Sequence, residues 1–463
     1  MRISRLLFSS LTRPSENSLF ELELAERYER RDARTHWFRL RRGVRFHDGR
    51  PLTAADVKYT YDFILDRKNQ SPFRAALGML QAVEIRQPDE VVFRLASPHA
   101  GFLAETSLGI VPAGTPAAAG GALRTLVGSG PFSLESFLPG DRIRLRSNPA
   151  YWRGRPRLSG IEVRIIPDTV TRVLEFKKGN IDFLQNDLEP EMLPWLRART
   201  GAQILVTPGT TFQYIGINCE HPVLRRLEVR QALAIAIDHA TIIKRLLKDL
   251  AVPATGLLSP THWAYEPSVK RWPYDPEAAK RLLDQAGFTD PDGAGPLPRF
   301  KLSYKTTTLD LRLRMAEVLK EQLAQVGVEL EVRSLEWATF YSDVRKGNFH
   351  LYSLAWVGIT DPDIYFNLFH SASVPPDGDN RGRYRNREID ALLDKARATL
   401  DSEKRKLLYR EVQQRLALEL PVIPLWWQKN VVVMQPHVRG FFPQPDGDLR
   451  ALEGAYLAGS LAP

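Results

Sequence analysis

Residues 37–65, WFRLRRGVRFHDGRPLTAADVKYTYDFIL, decide how the rest of the chain is read. Phe38 and Leu40 alternate with Arg39 and Arg41, and Val44 and Phe46 alternate with Arg45 and His47. That is the period-two pattern of half-buried strands. Arg42-Gly43 and Asp48-Gly49 interrupt the runs with residues suited to turns. Thr53 then offers a side-chain oxygen to the orphan amides of a helix start, and Asp56, three positions on, suits the positive end of the helix. Val57, Tyr61 and Ile64 follow at helical spacing. The stretch predicts a β-β-α unit. It holds no nucleophile, metal cluster or phosphate loop. His47 and Asp48 are neighbours in a predicted strand, so they point to opposite faces and make a poor catalytic pair.

Length and composition bound the rest. At 463 residues the chain exceeds one ordinary core, and two or three domains are expected. Its 43% hydrophobic and 25% charged content is ordinary for a globular protein. No apolar run reaches the roughly 18–20 residues of a membrane span. The formal charge is +10, but basic residues are interleaved with acids along the chain, as at Arg225-Arg226-Leu227-Glu228. A nucleic-acid binder gathers such charge into a stripe or tail, so no nucleic acid is expected as a partner. One cysteine, Cys219, excludes an internal disulfide and a multi-cysteine metal site. The nine histidines show no HExxH or HxH spacing, and the sequence has no GxSxG elbow and no P-loop. No catalytic residue, metal or cofactor is therefore expected.

Three stretches carry a family resemblance. Residues 40–64, LRRGVRFHDGRPLTAADVKYTYDFI, resemble the signature of the family 5 extracellular solute-binding proteins, the peptide and nickel receptors of bacterial ABC importers. Residues 127–152, VGSGPFSLESFLPGDRIRLRSNPAYW, resemble a second family segment, and residues 212–239, FQYIGINCEHPVLRRLEVRQALAIAIDH, a third. Tyr274-Asp275-Pro276 and Ala286-Gly287 also match. Gly128-Ser129-Gly130 alone is no dinucleotide fingerprint, because it lacks the third glycine and precedes a strand.

The resemblance implies an α/β, bilobed periplasmic-binding-protein-like fold, the large three-part variant of type II, with mixed sheets and a ligand cleft between lobes. The implied parts are 1–158, a mixed α/β extra domain; 159–246 with 436–463, the first lobe; and 247–435, the second. The implied function is extracytoplasmic capture of a small ligand, an oligopeptide first of all, by hinge closure, and its delivery as a monomer to a membrane ABC permease. The protein is then periplasmic or membrane-anchored. The family has a strand before the segment matching residues 3–11, so a truncated or misassigned start is expected. Two other functional classes stand beside this reading: a ligand-sensing regulatory module of the same fold, and, last, a peptide or ester hydrolase.

Local patterns refine the expectation. Residues 300–305, 311–325, 328–333, 336–346 and 349–355 read as strand, helix, strand, helix, strand, which predicts two β-α-β crossovers and parallel strands. Residues 228–247 predict one long amphipathic helix, and residues 373–382 a flexible polar loop. Ligands of such lobes sit at the carboxyl ends of the strands. That places Trp356, Gly358 and Asp361 at the site. In the family's peptide receptors an aspartate three residues after this tryptophan pairs with the peptide ammonium. Here that position is Ile359, and the next acid is Asp361, whose competing role is a turn cap before Pro362. Lys305 and Thr306 are carried over as carboxylate-binding candidates, and Tyr214 as a further ligand contact. Trp337, Trp426 and Trp427 are expected to be structural.

Overall fold

A computed structural model describes residues 3–15, 19–74, 76–118, 121–186, 188–293 and 295–459. The chain divides into two compact units. The first holds Met1–Thr207, Arg397–Asp401 and Asn430–Pro463; the second holds Pro208–Ala396 and Ser402–Lys429. The strands Gln203–Ile217 and Val422–Met434 each begin in one unit and end in the other. Against the three parts read from the sequence, residues 1–158 fall in the first unit, while residues 159–246 are shared between the two.

The first unit is built outward from the opening stretch. Four antiparallel strands run in the order Ala25–Asp32, Thr35–Leu40, Glu90–Leu95, Leu80–Gln87. The helix Ala54–Leu65 begins as its sequence predicts: the Thr53 amide donates to Asp56 Oδ2 at 2.8 Å, and Thr53 Oγ1 donates to the same oxygen at 3.0 Å. Asp56 is itself buried, because its other oxygen accepts from the Ala113 amide at 2.8 Å. Val57 and Tyr61 turn inward, and Tyr61 packs edge-on to Phe93 with centroids 4.9 Å apart. The second predicted strand does not form. Val44 and Phe46 are buried, but their backbone makes a tight loop closed by an isolated bridge from Arg45 to Pro51. Alternating burial therefore came from a folded-back loop rather than from a ladder. Three further antiparallel strands, Phe132–Leu138, Arg142–Ser147 and Gly160–Arg164, complete a second sheet.

Two of the signature segments interlock. The His47 amide donates to the Gly128 carbonyl at 2.8 Å, and His47 Nδ1 accepts from the Gly128 amide at 3.2 Å. The ring is then free to donate from Nε2 to the Gly130 carbonyl at 3.1 Å, and burial lowers its pKa, favouring the neutral form. Gly128 is packed so closely on the helix Ser4–Leu7 that a Cβ would lie 2.0 Å from the Leu7 carbonyl oxygen. Backbone cannot swing aside as a side chain does. Gly128→Ala is expected to cost at least about 2 kcal/mol and to lower the melting temperature of the first unit by several degrees. A thermal melt indistinguishable from the parent's would contradict this account.

The second unit confirms the crossovers in their essentials. Phe300–Thr307 pairs in parallel with Val328–Leu335 after the helix Asp310–Ala324, and again in parallel with Leu351–Trp356 after the helix Trp337–Lys346. Leu351–Trp356 also pairs antiparallel with Phe212 through Ile217. Successive residues of a strand face opposite sides, so Leu351 enters one hydrophobic cluster with Ile215 and Leu302, and Tyr352 enters another with Phe212 and Tyr214. Two sequence expectations are corrected here. The helix from 228 is not continuous: Leu227–Ile235 ends, and Asp238 starts the chain afresh by accepting from the Thr241 amide at 2.9 Å. An internal aspartate that can cap outcompetes the periodicity that runs through it. Trp337 is 54% exposed and stacks on Tyr341 instead of packing into the core, whereas Trp426 and Trp427 are buried.

Candidate functional site

Trp356 closes the strand Leu351–Trp356, and its ring forms one wall of a hollow in the second unit. The neighbouring strand contributes Phe212 and Tyr214, in register with Trp356 and Leu354. Tyr352, Phe369 and Tyr384 supply further aromatic surface, and Arg381 lies against it. The Arg381 guanidinium carbon is 4.6 Å from the Trp356 ring centre and 5.4 Å from that of Tyr341. The stack suits a planar, weakly hydrated cation.

Arg381 is 7% exposed, yet its donors are only partly used. Nη2 donates to Asp379 Oδ1 at 2.8 Å; the contacts to the hydroxyls of Tyr341 and Tyr214 are long, at 3.4 and 3.5 Å. Nε is buried and has no partner among the described residues. Asp379 is in turn fixed by Asn367, whose Nδ2 donates to its second oxygen at 2.9 Å. Burial raises the pKa values of Tyr214 and Tyr352, so both hydroxyls stay protonated. The result is an aromatic recess ending in a held guanidinium with donor capacity to spare, the arrangement that suits a carboxylate. Its unfilled space is about 20 Å³, too little for a whole solute. It can receive the terminal group of a solute, not a whole one.

By composition the segment that carries Arg381, residues 373–382, reads as a flexible polar loop. It is instead tightly held. Asn380, 1% exposed, donates from Nδ2 to the carbonyls of His370 and Tyr384 and accepts the Tyr384 amide at 3.0 Å. An asparagine that replaces three backbone partners gives no periodic signal, and this is why Arg381 and Asp379 were missed.

The sequence-derived candidates separate into four groups. Trp356 and Tyr214 share the hollow, joined through Arg381. Lys305 and Thr306 lie on the adjacent strand, where Lys305 is in register with Tyr352, but neither lines the hollow. Lys305 Nζ is committed to Asp343 Oδ2 at 2.6 Å, while Thr306 Oγ1 is buried without a partner among the described residues. Gly358 takes the left-handed conformation (φ +70°), which turns the chain away after Trp356.

Asp361 is held elsewhere. Its carboxylate meets Arg405 in a two-point ion pair, Oδ1 with Nη2 at 2.7 Å and Oδ2 with Nη1 at 3.1 Å, and Oδ1 also accepts the Asp363 amide at 2.8 Å. Arg405 is only 5% exposed. A carboxylate with both oxygens engaged by a buried guanidinium offers no vacant anchor for an ammonium group. Ile359, where the resemblance leads one to expect an aspartate, is buried in the aromatic cluster of this unit.

His262 sits in the same neighbourhood and accepts the Ala264 amide on Nδ1 at 3.1 Å. Burial pushes its pKa down to about 4, against a smaller raising effect from Asp361. A histidine lowered in the folded state is neutral there while the unfolded chain takes a proton. The stability it contributes is complete above about pH 6.5 and is lost as pH falls toward 4, by about 1.4 kcal/mol per pH unit. Buried Glu23, Asp448 and Glu453 of the first unit are shifted upward by burial and act in the opposite sense. The clean readout is therefore a comparison. His262→Asn, which keeps an acceptor for Ala264, should show a shallower fall in melting temperature between pH 6.5 and 5 than the parent. Equal slopes would remove His262 as a contributor.

Residues 20–375 match the model of the bacterial extracellular solute-binding proteins, family 5 Middle, and the chain belongs to that family. It is 29% identical over 476 residues to the oligopeptide-binding protein AppA of Bacillus subtilis (strain 168), covering 98% of this chain and 87% of that protein. The solved structure of Bacillus subtilis AppA in complex with a nonapeptide superposes with a TM-score of 0.88 at 28% identity, over 99% of this chain and 94% of that one. NikZ from Campylobacter jejuni, in complex with Ni(L-His), gives 0.87 at 25% identity, over 98% and 94%. The fold is thus that of the periplasmic binding proteins. The family consists of solute-binding proteins that act outside the cytoplasm with ABC importers, and not of enzymes.

Proposed function

We propose that this chain captures an oligopeptide outside the cytoplasm and passes it to a membrane ABC permease, with a carboxylate of the peptide meeting Arg381 against the Trp356 ring. The observation that carries the reading is the buried Arg381, whose Nε and long hydroxyl contacts leave donors unspent at the end of an aromatic recess. A carboxylate brought there gains charge-assisted hydrogen bonds in a site already desolvated. Relatives named for oligopeptide and dipeptide binding support the solute class. Chemistry on the bound solute forms no part of the proposal. Trp356 and Tyr214 are proposed as contacts, Gly358 as the turn that shapes the rim, and Lys305, Thr306 and Asp361 as residues that act on neighbouring structure rather than on the solute.

The test is a calorimetric titration with synthetic oligopeptides, each prepared with a free and an amidated C-terminus and without acidic side chains. One-to-one binding of the free acids, at least tenfold tighter than the amides, is the expected result. Equal affinity for both forms would remove Arg381 from its role.

A further inference from the structure

The second unit contains a larger cavity that the solute site does not use. It has a volume of about 520 Å³, within the range of small-molecule sites, against about 20 Å³ for the recess beside Arg381. Its walls are apolar and aromatic. Trp272 is fixed by an Nε1 hydrogen bond of 2.7 Å to the Ala417 carbonyl, and Trp427 packs edge-on to Tyr265 with centroids 5.8 Å apart. Tyr274 and Val252, 40% and 41% exposed, carry the apolar surface out to the mouth.

The charge at the mouth is one-sided. Lys270 and Arg271 both line the cavity and are exposed, and neither has a carboxylate partner among the described residues. Lys270 Nζ lies 5.3 Å over the Trp272 ring, which holds it beside the opening. Asp238, the acid of the lining, is already occupied in capping the Thr241 amide. His239, the histidine of the lining, is kept neutral because burial lowers its pKa to about 4. Elsewhere on this surface, lysines and arginines commonly have acids beside them, as Arg410 has Glu266 and Arg415 has Glu411.

Two unpaired cations over an apolar, aromatic-walled cavity select one kind of occupant. We propose that this cavity is a second ligand site, taking a small molecule with a planar apolar body and a single carboxylate or sulfonate group. The rings of Trp272 and Trp427 receive the body, and Lys270 and Arg271 receive the anion. The two sites are distinct in lining: Pro421 and Val422 line the Arg381 recess, whereas Ile423 and Pro424, the next residues of the chain, line this cavity.

The experiment uses the full chain and two fluorescent probes, 1-anilinonaphthalene-8-sulfonate and its uncharged counterpart N-phenyl-1-naphthylamine. The sulfonate is expected to bind saturably at one site per chain and at least tenfold more tightly than the neutral probe. Lys270→Ala with Arg271→Ala should weaken the sulfonate at least tenfold while leaving the neutral probe within twofold. Ala240→Trp, a substitution at an exposed lining residue that narrows the mouth, should weaken both; circular dichroism and thermal melts establish that each variant is folded. Trp356→Ala should leave sulfonate binding within twofold. Absence of one-site saturation, equal affinity for the two probes, or indifference to both sets of variants would each overturn the proposal. Loss of sulfonate binding in Trp356→Ala would place the probe in the Arg381 recess instead.

Discussion

Asp361→Asn is expected to lower the melting temperature of the second unit strongly while leaving solute affinity close to that of the parent. The carboxylate holds a guanidinium that is 5% exposed, through two hydrogen bonds of 2.7 and 3.1 Å, and caps the backbone at Asp363. Removing its charge strands Arg405 in a low-dielectric site. Breaking one side of such a pair costs roughly 3–5 kcal/mol, because the surviving charge is buried without its hydrogen-bonded partner and keeps only the weaker attraction of Asp363. In a unit of this size that corresponds to roughly 6–20 °C. The same reasoning gives the double variant Asp361→Leu with Arg405→Met a milder effect than either single loss, since neither charge remains to be buried. A variant Asp361→Asn with an unchanged melting temperature and a much weakened affinity would restore this residue as an ammonium anchor.

Arg381→Met should do the reverse. Methionine keeps most of the side-chain volume and the packing on Trp356, but removes the donors. Loss of a buried charge-assisted contact to a solute carboxylate is expected to cost about 2–4 kcal/mol, or roughly 30- to 1,000-fold in Kd. The fold should tolerate the change better than it tolerates Asp361→Asn, although Asp379 loses its cation. That carboxylate still accepts from Asn367, and its exposed edge allows rehydration. Arg381→Lys is the informative companion. A lysine restores the charge but neither the planar stack on Trp356 nor the fork of donors, so it should recover only part of the affinity. Full affinity in Arg381→Met, measured by calorimetry on a folded variant, would dissociate the recess from binding.

The two variants together show how far the sequence could be read. The scaffold was legible because its signals are local. The Thr53–Asp56 cap and the parallel strands at 300–356 follow from spacing and turn chemistry, and the structure contains both. Trp356 was reachable because a strand end in such a lobe marks a crevice, and Tyr214 because it lies in the third segment that resembles the family. The rest of the site depends on contacts between residues distant in sequence. Nothing near Asp361 announces that Arg405, 44 residues later, will take both its oxygens. Likewise nothing periodic marks Arg381, which is placed by Asn380 and Asp379 in a stretch whose composition resembles a surface loop. The broken helix at Asp238 and the loop at Val44–Phe46 fail for a related reason: a capping side chain or a folded-back turn preserved the apolar pattern while changing the backbone.

Capture without chemical change is the central claim, and native mass spectrometry tests it most directly. The purified protein is incubated with a complex peptide digest, freed of unbound material, and weighed intact; the bound material is then released and sequenced. The account predicts one uncleaved peptide per chain, enriched for free carboxylates, and loss of that mass shift in Arg381→Met. Peptides recovered as cleavage products, or a bound mass that persists unchanged in Arg381→Met, would contradict it.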